Sequence, residues 1–471
     1  MKKTKIICSI GPMSNDPDVM EKMVLAGMNV ARINFSHATD EERLQALESV
    51  RIVRKRTGKN VAILWDTKGP EFRSGTLEGD KIELVEGSTI RLVKDDVLGN
   101  IERITVNHPE ALDSLEVGSA ILLENGKMRI EVISKENDGV TCKIVNGGFL
   151  GNRKSISVPG IKLNIPYIST ADKEDIKYAC EHGGEILALS FVSSKEDVLE
   201  VKKLLKRYGR EDFIIISKIE SELGIQNLEE ILEVSDGIMV ARGDLGNEIP
   251  FSKITVVQKE LIRAAREAGK ICVVATEMLE TMMENARPKR AESSDIANAV
   301  LDGTDAVMLS GETTMGKHPI ETVAAMAKIC EDTEDYVEFD YISDEIYPNS
   351  ISDAIAECVV SSSNKLDAKV ICVSTITGQT AKMISNLKPN APVLAMVQDE
   401  KSGRRLALNW GVYPVVVTKL DTTDAVIEQA ISCAKEKYSL TKKDKIVITG
   451  CLYKDGEISS TNLMKIAEIT E

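Results

Sequence analysis

Long hydrophobic runs are missing from this sequence of 471 residues. Its amino terminus offers three lysines and only a short apolar run before Gly11 and Pro12. Such a run is too short for a secretory leader, and no other run approaches the ~20 apolar residues that span a bilayer. The sequence therefore predicts a protein that has no membrane partner.

Cysteines and histidines at metal-ligand or disulfide-like spacing are also missing. The nine cysteines are odd in number, scattered, and without a Cys-x-x-Cys motif. We therefore expect reduced thiols in a cytoplasmic protein, not a disulfide framework or a zinc site. Among the four histidines, only His37 follows a predicted strand end of interest, where a hydrogen-bonding role is favoured over metal binding.

The chain has fewer positively charged than negatively charged residues. The chain carries 59 Lys and Arg against 74 Asp and Glu, which gives a formal net charge of -15. This balance argues against nucleic acid or an anionic membrane as a partner. An anionic substrate would have to be attracted by a local group of cations. The length predicts two to four domains with room for a large core.

Eight short apolar runs alternate with helical segments in the first two thirds of the chain. Several connections have helix signals, such as the capping-box spacing of Thr39 and Glu42. Eight strands with helical connections predict a closed (β/α)₈ barrel. The predicted strands cover residues 4–10, 29–35, 61–65, 185–191, 213–217, 237–241, 271–275 and 306–309.

Two regions interrupt or follow this alternation. Residues 71–167 show alternating apolar and polar positions with glycine-rich turns, which predicts a small inserted β-barrel domain that could act as a lid. Residues 345–471 again alternate strands and helices, after an acidic linker, and predict an open α/β domain. The barrel would then comprise residues 1–70 and 168–344.

Charged and hydroxyl side chains follow the predicted barrel strands where each strand ends. In such a barrel the carboxyl ends of the strands share one face, and that face carries the chemistry. Two carboxylates, Glu220 and Asp244, suit Mg²⁺, while Lys218 would neutralise a transferring phosphoryl group. The full set of strand-end candidates is Arg32, Asn34, Ser36, Asp66, Thr67, Arg73, Lys218, Glu220, Gly243, Asp244 and Thr276.

Four of these residues offer oxygens from two neighbouring strands. Asn34, Ser36, Asp66 and Thr67 could hold a monovalent cation, but hydrogen bonds between the two loops would explain them equally well. Arg32 and Arg73 would hold further phosphoryl oxygens.

Two loops resemble phosphate-binding motifs. Residues 311–318 nearly match a P-loop, but His318 stands where a Mg²⁺-binding hydroxyl is required and Pro319 follows, so we reject this match. In the carboxyl-terminal domain a hydroxyl-rich turn precedes a predicted helix and could cradle an effector phosphate. Its candidates are Ser374, Thr375, Thr377, Gly378 and Thr380. Ordinary helix N-capping by Thr377 is slightly favoured over phosphate binding.

Several ordered blocks covering essentially the whole chain resemble the signature segments of the pyruvate kinase family. They are residues 28–37 (MNVARINFSH), 66–73 (DTKGPEFR), 217–220 (SKIE), 239–246 (MVARGDLG), 275–280 (ATEMLE) and 302–312 (DGTDAVMLSGE). The resemblance implies transfer of the phosphoryl group of phosphoenolpyruvate to ADP, which gives pyruvate and ATP in the final step of glycolysis. It also implies a cytoplasmic homotetramer of the bacterial type, without an extra carboxyl-terminal domain.

The resemblance also implies residue roles. Lys218, Arg32, Arg73 and Thr276 would be catalytic, and Gly243, Asp244 and Thr276 would contact the substrate together with Arg32 and Lys218. Glu220 and Asp244 would hold Mg²⁺ (or Mn²⁺). K⁺ would be bound by Asn34, Ser36, Asp66 and Thr67, and the nucleotide by Asn34, His37, Arg73 and Lys154. Glu71 matches the form of the family that requires K⁺.

Some positions depart from the family pattern. Glu277 stands where Gln is usual, Phe72 where an aliphatic residue is usual, and the loop at residues 450–462 lacks the sequence typical of sugar-phosphate-regulated relatives. A sugar-phosphate or nucleotide effector is therefore expected without a named identity. Two rival hypotheses are a carbon-carbon lyase that acts on an oxoacid enolate and a non-catalytic sensor of enolphosphates. Lys218 argues against the first, and the intact set of site residues argues against the second.

Overall fold

The computed structural model describes residues 1–337, 350–419, 422–450 and 461–470. Part of the acidic linker, Cys451 and most of the atypical loop at 450–462 lie outside the described residues. Within the described part of the chain, no helix is both long and apolar enough to cross a membrane.

Eight parallel strands close into a barrel, as the strand count predicted. Nearly every strand residue is buried, because each strand packs on a filled interior and on an outer ring of helices. Around the ring the strands follow chain order: β1 (Lys5–Ser9), β2 (Val30–Asn34), β3 (Ala62–Asp66), β12 (Ile186–Leu189), β13 (Ile214–Ile219), β14 (Gly237–Ala241), β15 (Ile271–Ala275) and β16 (Ala306–Leu309).

The helices of the barrel begin and end largely at the predicted signals. Thr39 caps its helix through a capping box with Glu42, and Gly58 ends the same helix with φ 64°. The helices are α1 (Pro17–Ala26), α2 (Asp40–Thr57), α3 (Thr170–His182), α4 (Lys195–Arg207), α5 (Glu222–Gln226), α6 (Leu228–Val234), α7 (Arg242–Glu248), α8 (Ile254–Glu267), α9 (Arg290–Asp302), α10 (Gly311–Thr314) and α11 (Pro319–Glu334). In α4 the N3 carboxylate of the capping box belongs to Asp197, which accepts from the Ser194 amide at 2.9 Å.

The chain between β3 and β12 forms the predicted inserted β structure. It has a six-stranded sheet in the order β11, β7, β8, β9, β5, β6 and a two-stranded sheet of β10 with β4. A separate core of apolar side chains fills it. The strands are β4 (Lys81–Leu84), β5 (Thr89–Val93), β6 (Arg103–Thr105), β7 (Ala120–Leu123), β8 (Met128–Glu136), β9 (Gly139–Asn146), β10 (Gly148–Gly151) and β11 (Ile156–Ser157).

The carboxyl-terminal region is an open five-stranded sheet with the order β19, β18, β17, β20, β21. The last strand, which the sequence did not indicate, runs antiparallel to β20. Its strands are β17 (Val370–Ser374), β18 (Val393–Val397), β19 (Val412–Val416), β20 (Lys445–Gly450) and β21 (Leu463–Glu468), and its helices are α12 (Ile351–Lys365), α13 (Gln379–Asn386), α14 (Glu400–Arg404) and α15 (Thr423–Lys437).

This region closes the amino-terminal end of the barrel. Leu408 is fully buried and Ala407 nearly so, and both pack with the side chains that fill the barrel interior. The opposite end, where the strands finish, remains accessible beneath the inserted sheets. The fold therefore leaves the carboxyl-terminal face of the barrel as the face available for chemistry.

Candidate active site

A cavity of about 860 Å³ opens at the carboxyl-terminal face, between the barrel and the inserted β structure. Eleven of the residues predicted from the sequence line it: Arg32, Asn34, Ser36, His37, Asp66, Thr67, Arg73, Lys154, Lys218, Glu220 and Asp244. Gly243 and Thr276 are adjacent to each other beside Asp244, where the Gly243 amide donates to Thr276 Oγ1 at 2.7 Å. The structure thus brings the barrel candidates into one site.

Charge in this cavity is balanced although the chain as a whole is acidic. Seven Lys or Arg side chains and seven Asp or Glu side chains line it, whereas the full sequence carries a net charge of -15. The cavity is therefore rich in cations compared with the rest of the molecule. Seven cations gathered in one cavity give an acidic protein the local positive charge that it needs in order to attract an anionic substrate.

Lys218 is at the centre of a buried ion network. Although the sequence suggested that its strand stops at residue 217, β13 continues to Ile219, so the rigid strand itself carries Lys218. Its ammonium lies 3.2 Å from Asp66 Oδ1 and 3.0 Å from Glu220 Oε1. Arg32 Nε contacts the other oxygen of Asp66 at 2.6 Å. Two cations and two carboxylates are therefore held together at the cavity wall.

This network sets the protonation states of Lys218 and Asp66. Burial acts to lower the pKa of Lys218, but Asp66 and Glu220 outweigh it and raise the pKa above its ordinary value. Burial likewise acts to raise the pKa of Asp66, but Arg32 and Lys218 hold it below its ordinary value. Lys218 and Asp66 therefore stay ionised at neutral pH, so a fixed positive charge faces the cavity.

The negative charge of Glu220 is less well compensated by its neighbours than that of Asp66. Burial raises its pKa to about 7, with repulsion from Asp244 adding to the shift and Lys218 opposing it. One of its oxygens accepts a hydrogen bond from the Phe191 amide at 2.6 Å. A further cation beside Glu220 and Asp244 would relieve this repulsion, and carboxylate oxygens are suitable donors for Mg²⁺.

The residues present fit a divalent ion that shares its shell with a substrate. Within residues 1–337, 350–419, 422–450 and 461–470, no group of three or more His, Cys, Asp or Glu side chains is arranged to hold a metal. Mg²⁺ usually takes one or two carboxylates and completes its shell with water and phosphate oxygens. Glu220 and Asp244 supply that number.

The candidate monovalent site is an oxygen-rich corner of the same cavity. Asn34 Oδ1 accepts from the Ser36 amide at 2.9 Å, and Thr67 is held against β12 because its amide donates to Ala188 O at 3.0 Å. The Asp66 carboxylate completes the group, although both its oxygens also contact cations. Amide, hydroxyl, carbonyl and carboxylate oxygens are chemically suited to K⁺, so the donor set fits.

The far side of the cavity belongs to the inserted structure. Arg73 forms a two-point ion pair with Glu71, with both nitrogen-oxygen distances 2.9 Å. Lys154 Nζ lies 3.7 Å from Glu124. Both cations are about 42% exposed, so they are free to turn toward a ligand in the cavity.

Three residues at strand ends around the site have a strained backbone. Thr276 and Glu277 have φ values of 72° and 53°, and Phe191 has 53°. Left-handed conformations are costly for side chains other than glycine and persist where the surroundings impose them. Arg242 stabilises the first of these turns, since its guanidinium donates to the Thr276 carbonyl at 2.5 Å and pairs with Asp295 at 2.6 Å.

The candidate effector loop lies far from this cavity, in the carboxyl-terminal sheet. Its helix, α13, has Gly378 as the N-cap, so the favoured assignment of Thr377 to that role is wrong. Thr377 Oγ1 instead accepts from the Gln379 amide at 3.4 Å. Thr375 Oγ1 accepts from the Gly378 amide at 3.0 Å, and Thr380 pairs with Thr461 at 2.6 Å. Ser374 is at the end of β17. Phosphate binding there stays a prediction.

Sequence reasoning missed several residues that shape the cavity. Ser190 and Phe191 follow β12 and carry no charge, unlike the residues at the ends of the neighbouring strands β3 and β13. Tyr167 lies where the chain returns from the inserted sheets. Their roles depend on backbone atoms and on the hydroxyls of Ser190 and Tyr167. Ser190 was missed because the predicted strand ran to residue 191, whereas β12 ends at Leu189.

Comparisons with known proteins agree with this geometry. Residues 1–323 match the family model "Pyruvate kinase, barrel domain", and residues 353–467 match "Pyruvate kinase, alpha/beta domain". A pyruvate kinase of Geobacillus stearothermophilus is 43% identical over 475 residues, which covers 100% of this chain and 81% of the relative. One from Staphylococcus saprophyticus is 42% identical, covering 99% and 80%. A crystal structure of a pyruvate kinase from Cryptosporidium parvum superposes with a TM-score of 0.93 at 37% identity, over 99% of this chain and 96% of that one.

Proposed function

Because the chain belongs to the pyruvate kinase family of phosphotransferases, we propose that it transfers the phosphoryl group of phosphoenolpyruvate to ADP. The products are pyruvate and ATP, and the reaction is the final step of glycolysis. Mg²⁺ (or Mn²⁺) and K⁺ are the proposed ions.

The observation that carries the proposal is the Lys218 ammonium, which two carboxylates hold in a charged state at the wall of a cation-rich cavity. A phosphoryl group in transfer carries charge on three oxygens, and a fixed cation stabilises that charge without reorganisation at the moment of reaction. Arg32, anchored on Asp66 and Ser9, presents a second cation from β2.

The other site residues divide into two proposed groups. Gly243 and Thr276, which hydrogen bond to each other, contact the carboxylate or enolate part of the substrate. His37, Arg73 and Lys154 bind the nucleotide from the side of the inserted structure, together with Asn34. After phosphoryl transfer the remaining enolate takes up a proton and becomes pyruvate.

The proposed ions use the oxygen donors already described. Glu220 and Asp244 would hold the divalent ion, which when bound would supply Lewis-acid polarisation of the phosphoryl oxygens. Asn34, Ser36, Asp66 and Thr67 would hold K⁺. Glu71 is proposed to mark the K⁺-dependent form, and its pairing with Arg73 at the cavity links it to the nucleotide side.

Regulation and assembly are part of the proposal at a coarser level. We propose that residues 374–380 bind a sugar-phosphate or nucleotide effector and that the chain works as a homotetramer in the cytoplasm. The proposed domains are the barrel (1–70 and 168–344), the inserted lid (71–167) and the regulatory domain (345–471).

The test is the formation of pyruvate and ATP from phosphoenolpyruvate and ADP, with each of Mg²⁺ and K⁺ omitted in turn and Na⁺ replacing K⁺. We expect activity that requires Mg²⁺ and rises several-fold with K⁺. The Glu71→Lys variant should lose most of the K⁺ effect because the added ammonium replaces the charge of the ion. Glu83→Lys, the same change at an exposed position of β4, should keep it.

Two outcomes would contradict the proposal. If the wild type binds phosphoenolpyruvate and Mg²⁺ but forms no pyruvate, the lyase or sensor hypothesis is favoured instead. Equal K⁺ dependence in Glu71→Lys and wild type would remove Glu71 from the ion requirement while leaving phosphoryl transfer intact.

A further inference from the structure

The two residues after β12, Ser190 and Phe191, form hydrogen bonds with four residues of the site: Asp66, Thr67, Lys218 and Glu220. Ser190 is only 3% exposed, and the proposed mechanism gives it no role. Its position between the ion network and the segments that lead to the inserted sheets suggests one.

The Ser190 hydroxyl fixes Lys218. It donates its single proton to the Thr67 carbonyl at 2.7 Å, so its lone pairs are free to accept from the Lys218 ammonium, which lies 2.7 Å away. The contact with Asp66 Oδ1 is longer, at 3.3 Å. This gives the ammonium a third partner besides its two carboxylates, and three partners define where its charge is located.

Both segments that connect the barrel to the inserted sheets also meet at Ser190. On the outgoing segment, Thr67 Oγ1 accepts from the Ser190 amide at 3.1 Å, and Gly69, with φ 72°, packs so closely that a Cβ there would lie 2.9 Å from the Ser190 carbonyl oxygen. On the returning segment, the Tyr167 hydroxyl donates to that same carbonyl at 2.9 Å.

Phe191 performs the matching task for Glu220. Its amide donates to Glu220 Oε2 at 2.6 Å from a residue held at φ 53°. The pair of residues therefore holds Lys218 in β13 and Glu220 directly after it, the first through a hydroxyl and the second through a strained amide. Strain of this kind persists where surrounding contacts impose it.

We propose that Ser190 is a positioning residue that fixes the Lys218 ammonium for phosphoryl transfer and makes its placement depend on the two segments that carry the inserted lid. This rests on the proposed function. When Thr67 and Tyr167 take the positions seen here, the Ser190 hydroxyl is aligned for Lys218. When either segment shifts, the hydroxyl turns and the ammonium loses its third partner.

The first test separates kcat from KM in the Ser190→Ala variant. Loss of one hydrogen bond to a charged group should lower kcat about 10- to 100-fold, with KM for phosphoenolpyruvate changed less than about threefold. Ser193→Ala is the matched control, since its hydroxyl bonds to Asp197 and not to Lys218, and its kcat should equal that of the wild type. An unchanged kcat in Ser190→Ala, or a rise in KM alone, overturns the proposal.

The second test addresses the link to the lid. Tyr167→Phe removes the hydrogen bond to the Ser190 carbonyl and should lower kcat about 3- to 10-fold. If Tyr167 acts through Ser190, the double variant should be no slower than Ser190→Ala alone. Losses that multiply in the double variant would mean that the two residues act independently and would overturn the link.

A third readout does not depend on the reaction. Crystal structures of the wild type and of Ser190→Ala should show the Lys218 ammonium displaced or spread over several positions in the variant. An ammonium that stays in place in Ser190→Ala overturns the proposal even if the wild type has some other activity. An inactive wild type with a displaced Lys218 in the variant would instead refute the proposed function and retain the positioning role.

Discussion

The barrel buries a lysine at each of its ends, and the two lysines are held in opposite ways. Lys218, at the carboxyl-terminal end, faces two carboxylates that raise its pKa despite burial. Lys5, at the amino-terminal end, is 2% exposed; its ammonium donates to the Val412 carbonyl at 2.7 Å and lies over the Tyr413 ring. Burial lowers the pKa of Lys5 to about 7, with repulsion from Lys2 adding to this and Glu334 opposing it.

This comparison shows that burial alone does not decide the charge of a lysine. A carbonyl and an aromatic ring do not replace the water that an ammonium loses on burial, whereas two carboxylates do. The carboxyl-terminal end therefore keeps a permanent positive charge beside an open cavity. At the amino-terminal end the same group is part of a closed interface between the barrel and the carboxyl-terminal sheet.

Two ion pairs at the amino-terminal end also join the barrel to the carboxyl-terminal sheet. Lys388 pairs with Asp305, and their side chains are 1% and 4% exposed. Arg404 pairs with Glu185 at 2.6 Å, and Leu408 fills the barrel interior between them. Each of these ion pairs joins the barrel to the carboxyl-terminal sheet, and none of the four residues lines the cavity of the candidate active site. We therefore expect these pairs to affect stability more than catalysis.

The largest expected effect is on catalysis at the carboxyl-terminal end. Lys218→Ala should lower kcat roughly 10⁴-fold, the scale on which a single cation stabilises phosphoryl transfer, while the protein stays folded because Asp66 keeps Arg32 as a partner. Initial rates and thermal unfolding of the same preparation check this. Lys5→Met, which removes a buried lysine at the other end of the barrel, is the control and should keep kcat. A fall in kcat of less than tenfold in Lys218→Ala would contradict the catalytic role of the carboxyl-terminal lysine.

The next effect is on stability at the amino-terminal end. Lys388→Met removes the ion-pair partner of the buried Asp305, whose other oxygen accepts from the Cys272 amide, and should lower the free energy of unfolding by about 3–5 kcal/mol. Urea unfolding followed by the fluorescence of the nearby Trp410 measures it. The double variant Lys388→Met with Asp305→Leu removes both charges and should recover most of the loss. A marked fall in kcat of Lys388→Met with unchanged stability would contradict the view that the amino-terminal end serves stability and the carboxyl-terminal end serves catalysis.

The smallest effect is a pH dependence of stability that comes from Lys5. Because its folded-state pKa of about 7 lies below that of the unfolded chain, the unfolded state binds more protons from about pH 7 upward, and stability rises with pH. Relative to Lys5→Met, the wild type should gain about 2–3 kcal/mol between pH 7 and pH 9.5.

The groups that face Lys5 set the conditions of this measurement. Lys2 and Glu334 share its surroundings, and burial raises the pKa of the neighbouring Tyr413, so the range stops before tyrosines ionise in the unfolded chain. Urea midpoints of the two proteins at four pH values give the difference. A difference that stays constant with pH would show that Lys5 remains fully charged in the folded protein.

Much of the fold could be predicted because its signals are local. Each barrel strand is a short apolar run, since its residues are buried on both faces, and all eight lie within a few residues of the predicted positions. Strand ends are less certain: β13 extends to Ile219 because pairing with β14 continues through Lys218. The sequence did not indicate β21, whose residues are largely exposed or half-buried and therefore lack an apolar pattern.

By itself, the sequence determined the order of the elements and the chemistry available at the strand ends. Parallel strands in a closed barrel bring those ends to one face, so Lys218, Glu220 and Asp244 could be grouped without coordinates. Only the tertiary structure decided which charges compensate each other, and thus that Lys218 stays charged while Lys5 titrates near neutral pH. It also decided that Ser190 joins the lid segments to Lys218. Both depend on distances between residues far apart in the chain, and hydrogen bonds and charge interactions fall off over a few ångströms.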